Sequence, residues 1–212
     1  MSTERSVIVL AAGKGSRFEA GSHKLVAAFG EHGVLATTLR HAIESGLHVV
    51  VVTTAPFAAL ARSSVAARDV VVLPEVGDDG AGALGMGHSI SAGVSLRPHA
   101  RGWLVLPGDM PLVQPASLQA VARQLDHHPI VYAQHGGRRG HPVGFAAELY
   151  SELVALSGDE GARRLVARYP AYGIELDDAG VLVDIDTVAD LEAAMRGEQP
   201  QDGVSEAGAL RP

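Results

Sequence analysis

The segment from Val7 to Lys24, VIVLAAGKGSRFEAGSHK, constrains this chain more than any other. It begins with an apolar, β-branched run, which predicts a buried strand. A loop of small residues and glycines follows directly and carries Arg17, with Lys24 after it. A buried strand that leads into such a loop brings bare backbone N–H groups close to a phosphate. Arg17 and Lys24 would then neutralise a polyphosphate, Arg through its planar fork and Lys as a point charge.

Two better-known glycine loops do not fit this segment. A P-loop requires Ser or Thr directly after its Gly-Lys pair and a glycine five residues before that Lys, but Gly15 follows Lys14 and Val9 lies five residues before it. A dinucleotide-binding fingerprint requires a third glycine where Phe18 stands. From these residues alone, an ordinary strand and loop with two solvated cations remains the alternative.

Composition narrows the classes of protein further. The length of 212 residues suits one large domain, and the hydrophobic content of 47% is ordinary for a globular protein. A net charge of −7 argues against a nucleic-acid partner, and the lack of cysteine excludes disulfides, iron–sulfur clusters and thiolate zinc sites. The N-terminus lacks the apolar stretch of a signal peptide, and no run reaches membrane-span length. We therefore expect a cytoplasmic protein with no membrane partner.

Strand-like and helix-like segments alternate along the chain, which predicts an α/β protein. Apolar runs predict strands at 7–10, 47–52, 69–73, 103–106, 130–133, 141–145 and 172–176. Helical spacing predicts helices that begin near Val34, Pro56, Gly85, Pro115, Ala147, Asp159 and Val188. This alternation implies a single three-layer α/β/α domain with a mostly parallel, Rossmann-like central sheet. We place that domain at 1–196 and expect a disordered tail at 197–212, because the tail has no hydrophobic period.

Four further motifs follow the glycine loop. They are PGDMP at 107–111, GHPVGF at 140–145, GDEGAR at 158–163 and DIDT at 184–187. Together with LAAGKGSRF and Lys24-Leu25, they resemble the nucleotidyltransferases that make sugar-nucleotide and cofactor-nucleotide bonds. Within these, they most resemble the molybdenum cofactor cytidylyltransferase branch. The resemblance spans nearly the whole chain and implies the nucleotide-diphospho-sugar transferase type of fold, which is glycosyltransferase-A-like.

The resemblance implies that CMP is transferred from CTP to the terminal phosphate of molybdopterin and that pyrophosphate is released. Arg17, Lys24 and Asp109 are then the expected catalytic residues. The nucleotide-binding residues that it implies are Leu10, Ala11, Ala12, Gly13, Gly15, Ser16, Arg17, Lys24, Gly85, Ser89 and Asp109. The related guanylyltransferases tend to carry glycine where Ala12 stands, so a Cβ at this position argues against GTP.

A carboxylate at the end of a predicted strand indicates a metal site. Ligands of parallel α/β sheets gather at the carboxyl ends of strands, where Asp109 stands. Mg²⁺ takes oxygen ligands, and usually only one or two protein carboxylates besides phosphates and water. Asp109 is our first choice as its ligand. The resemblance places Asp184 near the opposite strand end, which makes it the second choice, with Asp186 as the competitor for that place. Each of these residues taken alone could instead be a helix cap or a turn residue.

The same resemblance implies an acceptor side. Its residues are Arg138, His141, Pro142, Asp159 and Arg163. Arg138 and Arg139 lie between glycines, which predicts a hairpin tip, and Asp159 is the predicted N-cap of a helix. From the residues alone, a solvated basic hairpin and a plain helix cap remain alternatives. The implied partners are CTP, a molybdopterin-type acceptor and a molybdenum hydroxylase apo-enzyme that receives the product.

Other functions remain open on the sequence alone. An enzyme of the same fold could use GTP, or could act on a sugar phosphate or an alditol phosphate. A non-catalytic molybdenum cofactor chaperone could bind the finished cofactor and deliver it. The chaperone would not need Arg17, Lys24 and Asp109 together and would release no pyrophosphate, so pyrophosphate release with CTP distinguishes the two classes.

Overall fold

A computed structural model describes residues 4–13, 23–74 and 85–197. Its strands are β1 (Ser6–Ala11), β2 (Ala28–Phe29), β3 (His32–Gly33), β4 (His48–Thr54), β5 (Val70–Leu73), β6 (Gly102–Pro107), β7 (Ile130–His135), β8 (Arg138–Ala146) and β9 (Ala171–Glu175). Its α-helices are α1 (Val34–Glu44), α2 (Ala58–Ser64), α3 (Gly85–Ser95), α4 (Pro115–Gln124), α5 (Tyr150–Val154), α6 (Arg163–Arg168) and α7 (Val188–Arg196). These bounds confirm the predicted alternation of strands and helices.

Seven of the strands form one central sheet in the order β5-β4-β1-β6-β8-β7-β9. Within the described part of the chain, β8 alone runs antiparallel to its neighbours in this sheet. The expected fold class, α/β with a mostly parallel central sheet, is confirmed. The carboxyl ends of β1, β4, β6 and β7 therefore meet at one edge of the sheet, which we call the carboxyl edge. The opposite edge is the amino edge.

Helices cover both faces of the sheet, and each face has its own apolar core. On one face, alternate residues of β1 and β6 such as Val9 and Leu106 pack with Leu39 of α1 and Leu118 of α4. On the other face, Ile8 and the fully buried Trp103 pack with residues of α3, α5 and α6. The three-layer prediction follows from the β-branched strands, whose two faces are both apolar.

Local sequence signals explain several ends of these elements. The loop after α1 contains Gly46, at φ 72°, in agreement with the predicted stop there. Helix α7 begins with a capping box, in which Thr187 and Asp190 satisfy each other's backbone N–H groups. Thr187 is thus the cap of the last helix. Only Gly197 of the predicted tail lies within the described residues, and it ends α7 at φ 71°.

One local prediction is wrong, and a second is confirmed for its segment but not for its two arginines. Asp159 does not cap a helix, because α6 begins only at Arg163 and its N-cap is Ala162. The predicted hairpin is present between β7 and β8, but its two-residue turn is Gly136-Gly137 and does not include Arg138 or Arg139. Both of these glycines have positive φ, which suits a tight turn between antiparallel strands. The two arginines instead begin β8.

A second, small sheet lies close to the site described below. Strands β2 and β3 form a short antiparallel hairpin just after a 3-10 turn at Lys24–Val26. Beside it, Ala27 and Val34 pack with Ile185 and with Leu191 of α7 in a separate apolar cluster. This cluster holds the two segments that contain Lys24 and Asp186 against each other. Across the described ranges, no helix is long and apolar enough to cross a membrane.

Candidate active site

Lys24 joins two carboxylates at the carboxyl edge of the sheet. Its Nζ donates to Oδ2 of Asp109 at 2.6 Å and to Oδ1 of Asp186 at 2.5 Å. The three side chains are largely buried, with exposed fractions of 13%, 17% and 21% for Lys24, Asp109 and Asp186. They come from three distant parts of the sequence. The fold therefore brings Lys24 and Asp109, both predicted site residues, into direct contact.

The backbone of the Asp109 loop is tied to the segments on either side of it. Gly108, directly after β6, donates its N–H to the carbonyl of Leu10 in β1 at 2.8 Å. A Cβ at Gly108 would lie 3.0 Å from that same carbonyl oxygen, so the glycine permits the close approach of the two strands. On the other side, the carbonyl of Asp109 accepts from the N–H of Ile185 at 2.9 Å.

Asp186 is positioned by its neighbours in the chain. Ile185 is fully buried in the small cluster beside α7 and anchors the segment. The N–H of Asp186 donates to Oδ2 of Asp190 at 3.1 Å, and the N–H of Thr187 donates to the same oxygen at 2.7 Å. The capping box of α7 thus also fixes the backbone of Asp186. Helix capping and site geometry depend here on the same side chain.

The electrostatics of this edge favour a bound cation. Burial lowers the pKa of Lys24, but the attraction of Asp109 and Asp186 outweighs it, and the net effect raises that pKa above its usual value. Burial, followed by repulsion from Asp109 and Asp186, raises the pKa of Asp184. Three carboxylates therefore crowd around one ammonium among the described side chains.

Among the described residues, one buried carboxylate oxygen at this edge has no hydrogen-bond partner. Oδ1 of Asp109 is buried and has no hydrogen-bond partner among the residues that the structure describes. A buried, unpartnered carboxylate oxygen is costly unless a cation or water satisfies it. In the described ranges, no group of three or more His, Cys, Asp and Glu residues is arranged to hold a metal unaided. One or two carboxylates fit Mg²⁺, which takes its other ligands from phosphates and water.

The described part of the glycine loop begins at the same edge. Strand β1 ends with Leu10 and the buried Ala11, and Ala12 is half-buried while Gly13 is exposed. Ala11 also accepts a hydrogen bond from the hydroxyl of Thr53 in β4 at 3.2 Å, which holds the loop base to the neighbouring strand. The predicted residues Gly15, Ser16 and Arg17 lie outside the described residues.

The start of α3 packs tightly against the segment before α6. Gly87 donates its N–H to the carbonyl of Gly158 at 2.9 Å. A Cβ at Gly85 would lie 2.2 Å from the Gly158 carbonyl, and one at Gly87 would lie 2.6 Å from that of Ser157. Glycine is therefore required at both positions by a close approach of backbone. Ser89 is buried and donates its hydroxyl back to the carbonyl of Gly85 at 3.4 Å.

His141 reaches the site through a bulge in β8. Tyr132 pairs with Val143 and Gln134 pairs with Arg139, so three residues of β8 lie opposite one residue of β7. His141 is half-buried within this bulge, and Pro142, which follows it through a cis peptide bond, is buried. Burial lowers the pKa of His141 to about 4, against an opposing effect from the nearby charge of Asp109. His141 is therefore a neutral imidazole beside Asp109 at neutral pH.

Three other predicted acceptor residues lie at the surface. Arg138, at the start of β8, is exposed, as are Asp159 before α6 and Arg163 at its first position. Arg139 stacks its guanidinium over the ring of Tyr132, 4.6 Å from the centroid. The segment of Asp159 is the one that packs on the start of α3, so the predicted donor and acceptor sides share a backbone contact.

Sequence reasoning does not single out His23, although the structure places it in contact with the glycine loop. Its Nε2 lies 3.2 Å from the carbonyl oxygen of Gly13. Histidine is common in turns and caps, and nothing in its spacing marks it. The available signal is its position, directly before Lys24.

The comparisons with known proteins agree with this fold. The chain belongs to the family of MobA-like NTP transferase domains, whose model matches residues 7–172. It is 35% identical over 124 residues to the bifunctional protein GlmU of Alkalilimnicola ehrlichii. The aligned region covers 57% of this chain and 25% of that protein. The chain thus matches about a quarter of the length of that relative. At the level of the family, the expected class of nucleotidyltransferase is confirmed.

Solved structures show the same architecture. Rv0371c from Mycobacterium tuberculosis H37Rv superimposes with a TM-score of 0.77 at 27% identity, over 92% of this chain and 99% of that one. A complex of Rv0371c with manganese gives a TM-score of 0.74 at 27% identity, over 92% and 100% of the two chains. Molybdopterin-guanine dinucleotide biosynthesis protein A from Archaeoglobus fulgidus superimposes with a TM-score of 0.63 at 20% identity, over 90% of this chain and 97% of that one. This likeness concerns the fold alone.

Proposed function

We propose that this protein transfers CMP from CTP to the terminal phosphate of a molybdopterin-type acceptor and releases pyrophosphate, with Mg²⁺ as its cofactor. The observation that carries the proposal is the Lys24 ammonium between the carboxylates of Asp109 and Asp186. It sets a phosphate-binding cation beside oxygen ligands for a metal, close to the end of β1. The choice of CTP and of the acceptor is supported by the resemblance of the later motifs to the cytidylyltransferase branch.

The proposed reaction is a displacement at phosphorus. An anionic oxygen of the acceptor phosphate attacks the α-phosphorus of CTP and forms a new P–O bond. The bond from the α-phosphorus to the oxygen that bridges to the β-phosphorus breaks, and pyrophosphate leaves with that electron pair. Because the attacking oxygen is already anionic, no side chain has to remove a proton. The protein contributes position and electrostatic stabilisation instead.

The donor side is assigned to the residues at the carboxyl edge. Lys24, together with Arg17, would hold the β- and γ-phosphates and stabilise the charge on the departing pyrophosphate. Residues Leu10 to Gly13, with Gly15 and Ser16, would supply backbone groups to the phosphates, and Gly85 and Ser89 would lie beside the ribose and base.

The metal would be held by carboxylates of this chain. Asp109 and Asp186 are the proposed ligands, because both carboxylates contact the same ammonium and Oδ1 of Asp109 lacks a described partner. Asp184, with its raised pKa, is then the neighbour that adds negative charge rather than the second ligand. When bound, Mg²⁺ would neutralise the triphosphate and draw electron density from the α-phosphate.

The acceptor side is assigned to the bulge of β8 and to the segment before α6. His141 is neutral, so it can hydrogen-bond an acceptor without adding charge beside Asp109, and Pro142 forms part of the same bulge. Arg138 and Arg163 would attract an anionic acceptor at the rim of the site, and Asp159 would accept hydrogen bonds there. A molybdenum hydroxylase apo-enzyme is the proposed recipient of the product.

The test is mass spectrometry of the product after incubation with Mg²⁺, molybdopterin cofactor and each nucleoside triphosphate in turn. The proposal expects a cytosine dinucleotide with CTP, an equal amount of pyrophosphate, and neither product from the Asp109→Asn variant. A guanine dinucleotide as the main product would overturn the choice of base. Turnover only with a sugar phosphate or an alditol phosphate would overturn the acceptor, and cofactor binding without pyrophosphate release would indicate a chaperone.

A further inference from the structure

His23 makes two hydrogen bonds that join residues on either side of the 14–22 segment. Its Nε2 lies 3.2 Å from the carbonyl oxygen of Gly13, and its Nδ1 lies 3.3 Å from the backbone nitrogen of Leu25. The second bond caps the 3-10 turn at Lys24–Val26. One imidazole therefore links the end of the described glycine loop to the turn that carries Lys24.

The partners of His23 fix its tautomer. The carbonyl of Gly13 can only accept a hydrogen bond, and the N–H of Leu25 can only donate one. Nε2 must therefore carry the proton, and Nδ1 must be the acceptor. The ring is neutral when both bonds are made. An imidazolium would carry a proton on both nitrogens and would lose the bond from Leu25.

Packing holds the ring in this orientation. The imidazole lies against the ring of Phe57, with centroids 4.6 Å apart and an interplanar angle of 54°. Phe57 is only 6% exposed and belongs to the core on the face covered by α1, α2 and α4. The ring of His23 thus rests on a rigid surface, and its two nitrogens are directed by the fold.

We infer that His23 is a positioning residue for triphosphate binding, which it achieves by fixing the backbone of Gly13 relative to Lys24. The inference rests on the proposed function, since it requires Gly13 and Lys24 to face the same triphosphate. Lys24 follows His23 directly, and its ammonium is held by Asp109 and Asp186 on the other side. The imidazole therefore sets the spacing between the loop backbone and the cation that the triphosphate must contact together.

Three substitutions separate the two hydrogen bonds. His23→Gln places an amide near the position of Nε2 and can still donate to Gly13. His23→Asn places an amide near the position of Nδ1, where it can still accept from Leu25 and cap the turn. His23→Phe keeps a ring against Phe57 and loses both bonds. His128→Phe is the matched control, because His128 stacks on Tyr172 at 4.2 Å near the start of β7, at the amino edge.

The experiment is calorimetric titration of each variant with CTP and Mg²⁺ in the absence of acceptor, alongside its melting temperature. We expect affinity to fall roughly five- to tenfold in His23→Phe and His23→Asn, which is the value of about one hydrogen bond. We expect His23→Gln to retain most of the affinity, and His128→Phe to bind as the parent does. In turnover, the change should appear in KM for CTP rather than in kcat.

The outcomes separate this inference from the proposed function. If the parent binds CTP and His23→Phe binds it equally well, His23 has no positioning role while the proposed function stands. If the affinities of all three variants simply follow their melting temperatures, with no advantage for Gln over Asn, the residue is only structural and the inference is wrong. A parent that binds no nucleoside triphosphate overturns the proposed function and the inference together.

Discussion

The two edges of the central sheet use ionic contacts in opposite ways. At the amino edge, Asp126 accepts from both Arg5 and Arg101, with the Arg101 contact at 3.4 Å. His48, at the start of β4, meets Asp69 just before β5 at 2.8 Å. Both of these acids therefore have at least one basic partner. These contacts tie the starts of neighbouring strands to the helices and turns before them.

At the carboxyl edge the balance is different. Among the described side chains, Asp109, Asp184 and Asp186 share the single ammonium of Lys24, and one oxygen of Asp109 has no partner there. Like charges placed together in a partly buried site destabilise the folded protein. The comparison teaches that the amino edge is arranged for stability, whereas the carboxyl edge retains an electrostatic cost that a cation can relieve.

The largest expected effect comes from exchanging one aspartate at each edge. Asp109→Asn should reduce turnover by roughly 100- to 1000-fold, because it removes the charge that holds a hard cation, and should leave the melting temperature nearly unchanged. Asp126→Asn, the control at the amino edge, should leave turnover unchanged and lower the melting temperature by no more than about 4 °C. Steady-state kinetics and thermal unfolding measure both, and equal turnover losses in the two variants would remove the distinction between the edges.

The next effect concerns Lys24. Lys24→Met removes the cation between two largely buried carboxylates, so it should destabilise the protein by about 2 kcal/mol and weaken CTP binding by roughly 100-fold. If the carboxyl edge is a cation site, millimolar Mg²⁺ should restore part of the lost melting temperature in this variant. Arg101→Met, at the amino edge, is the control that Mg²⁺ should not restore. If Mg²⁺ does not raise the melting temperature of Lys24→Met, the carboxylates do not bind the metal.

The next effect is a pH dependence of the free energy of unfolding that comes from His141 at the carboxyl edge. The pKa of His141 is about 4 in the folded protein, against about 6.5 when it is unfolded, so the unfolded chain binds more protons between these values. Stability from this residue is therefore complete above about pH 6.5 and is lost as the pH falls toward 4, by about 2 kcal/mol after allowance for its partial exposure. Urea unfolding at pH 7 and pH 4.5, with a chelator present, measures this loss. His141→Asn should lose less stability than the parent over the same interval, and an equal loss would contradict the assignment.

The smallest effect concerns the base. Ala12 is half-buried where β1 enters the glycine loop. Under the proposed function, its Cβ would narrow the space for a purine. Ala12→Gly should therefore raise kcat/KM for GTP relative to CTP by about tenfold, the value of one methyl-sized difference in a pocket. Parallel assays with one acceptor measure the ratio. If GTP is already the better substrate of the parent, Ala12 does not select the base.

The sequence predicts the fold well because its strongest signals are local. Runs such as the one that ends at Leu10 are apolar on both faces, and glycines or prolines mark where they stop. The sequence also predicts Lys24 and Asp109, since each follows a segment whose end can be located from such a run. Their contact depends on strand order, which the chain alone does not fix.

Other features could not be predicted, for physical reasons. Asp184 and Asp186 flank the buried Ile185, so the sequence offers both as the second metal ligand. The contact with Lys24, which favours Asp186 for that role, depends on the packing of α7. His141 lies in the bulge of β8, close enough for the charge of Asp109 to affect its pKa, and a register shift leaves no periodic signal in the sequence. Asp159 has the right chemistry for a cap, yet the chain continues in turns until Arg163.

The contact between Gly87 and Gly158 limits how this protein can be re-engineered. The backbones there approach so closely that a Cβ at Gly85 or Gly87 would overlap the Ser157–Gly158 segment. A loop graft that replaces residues 157–161 with a sequence of another length or course would therefore displace the first turn of α3. A library that varies either segment should therefore vary residues 85–87 and 157–161 together, because the two segments can be exchanged only as a pair.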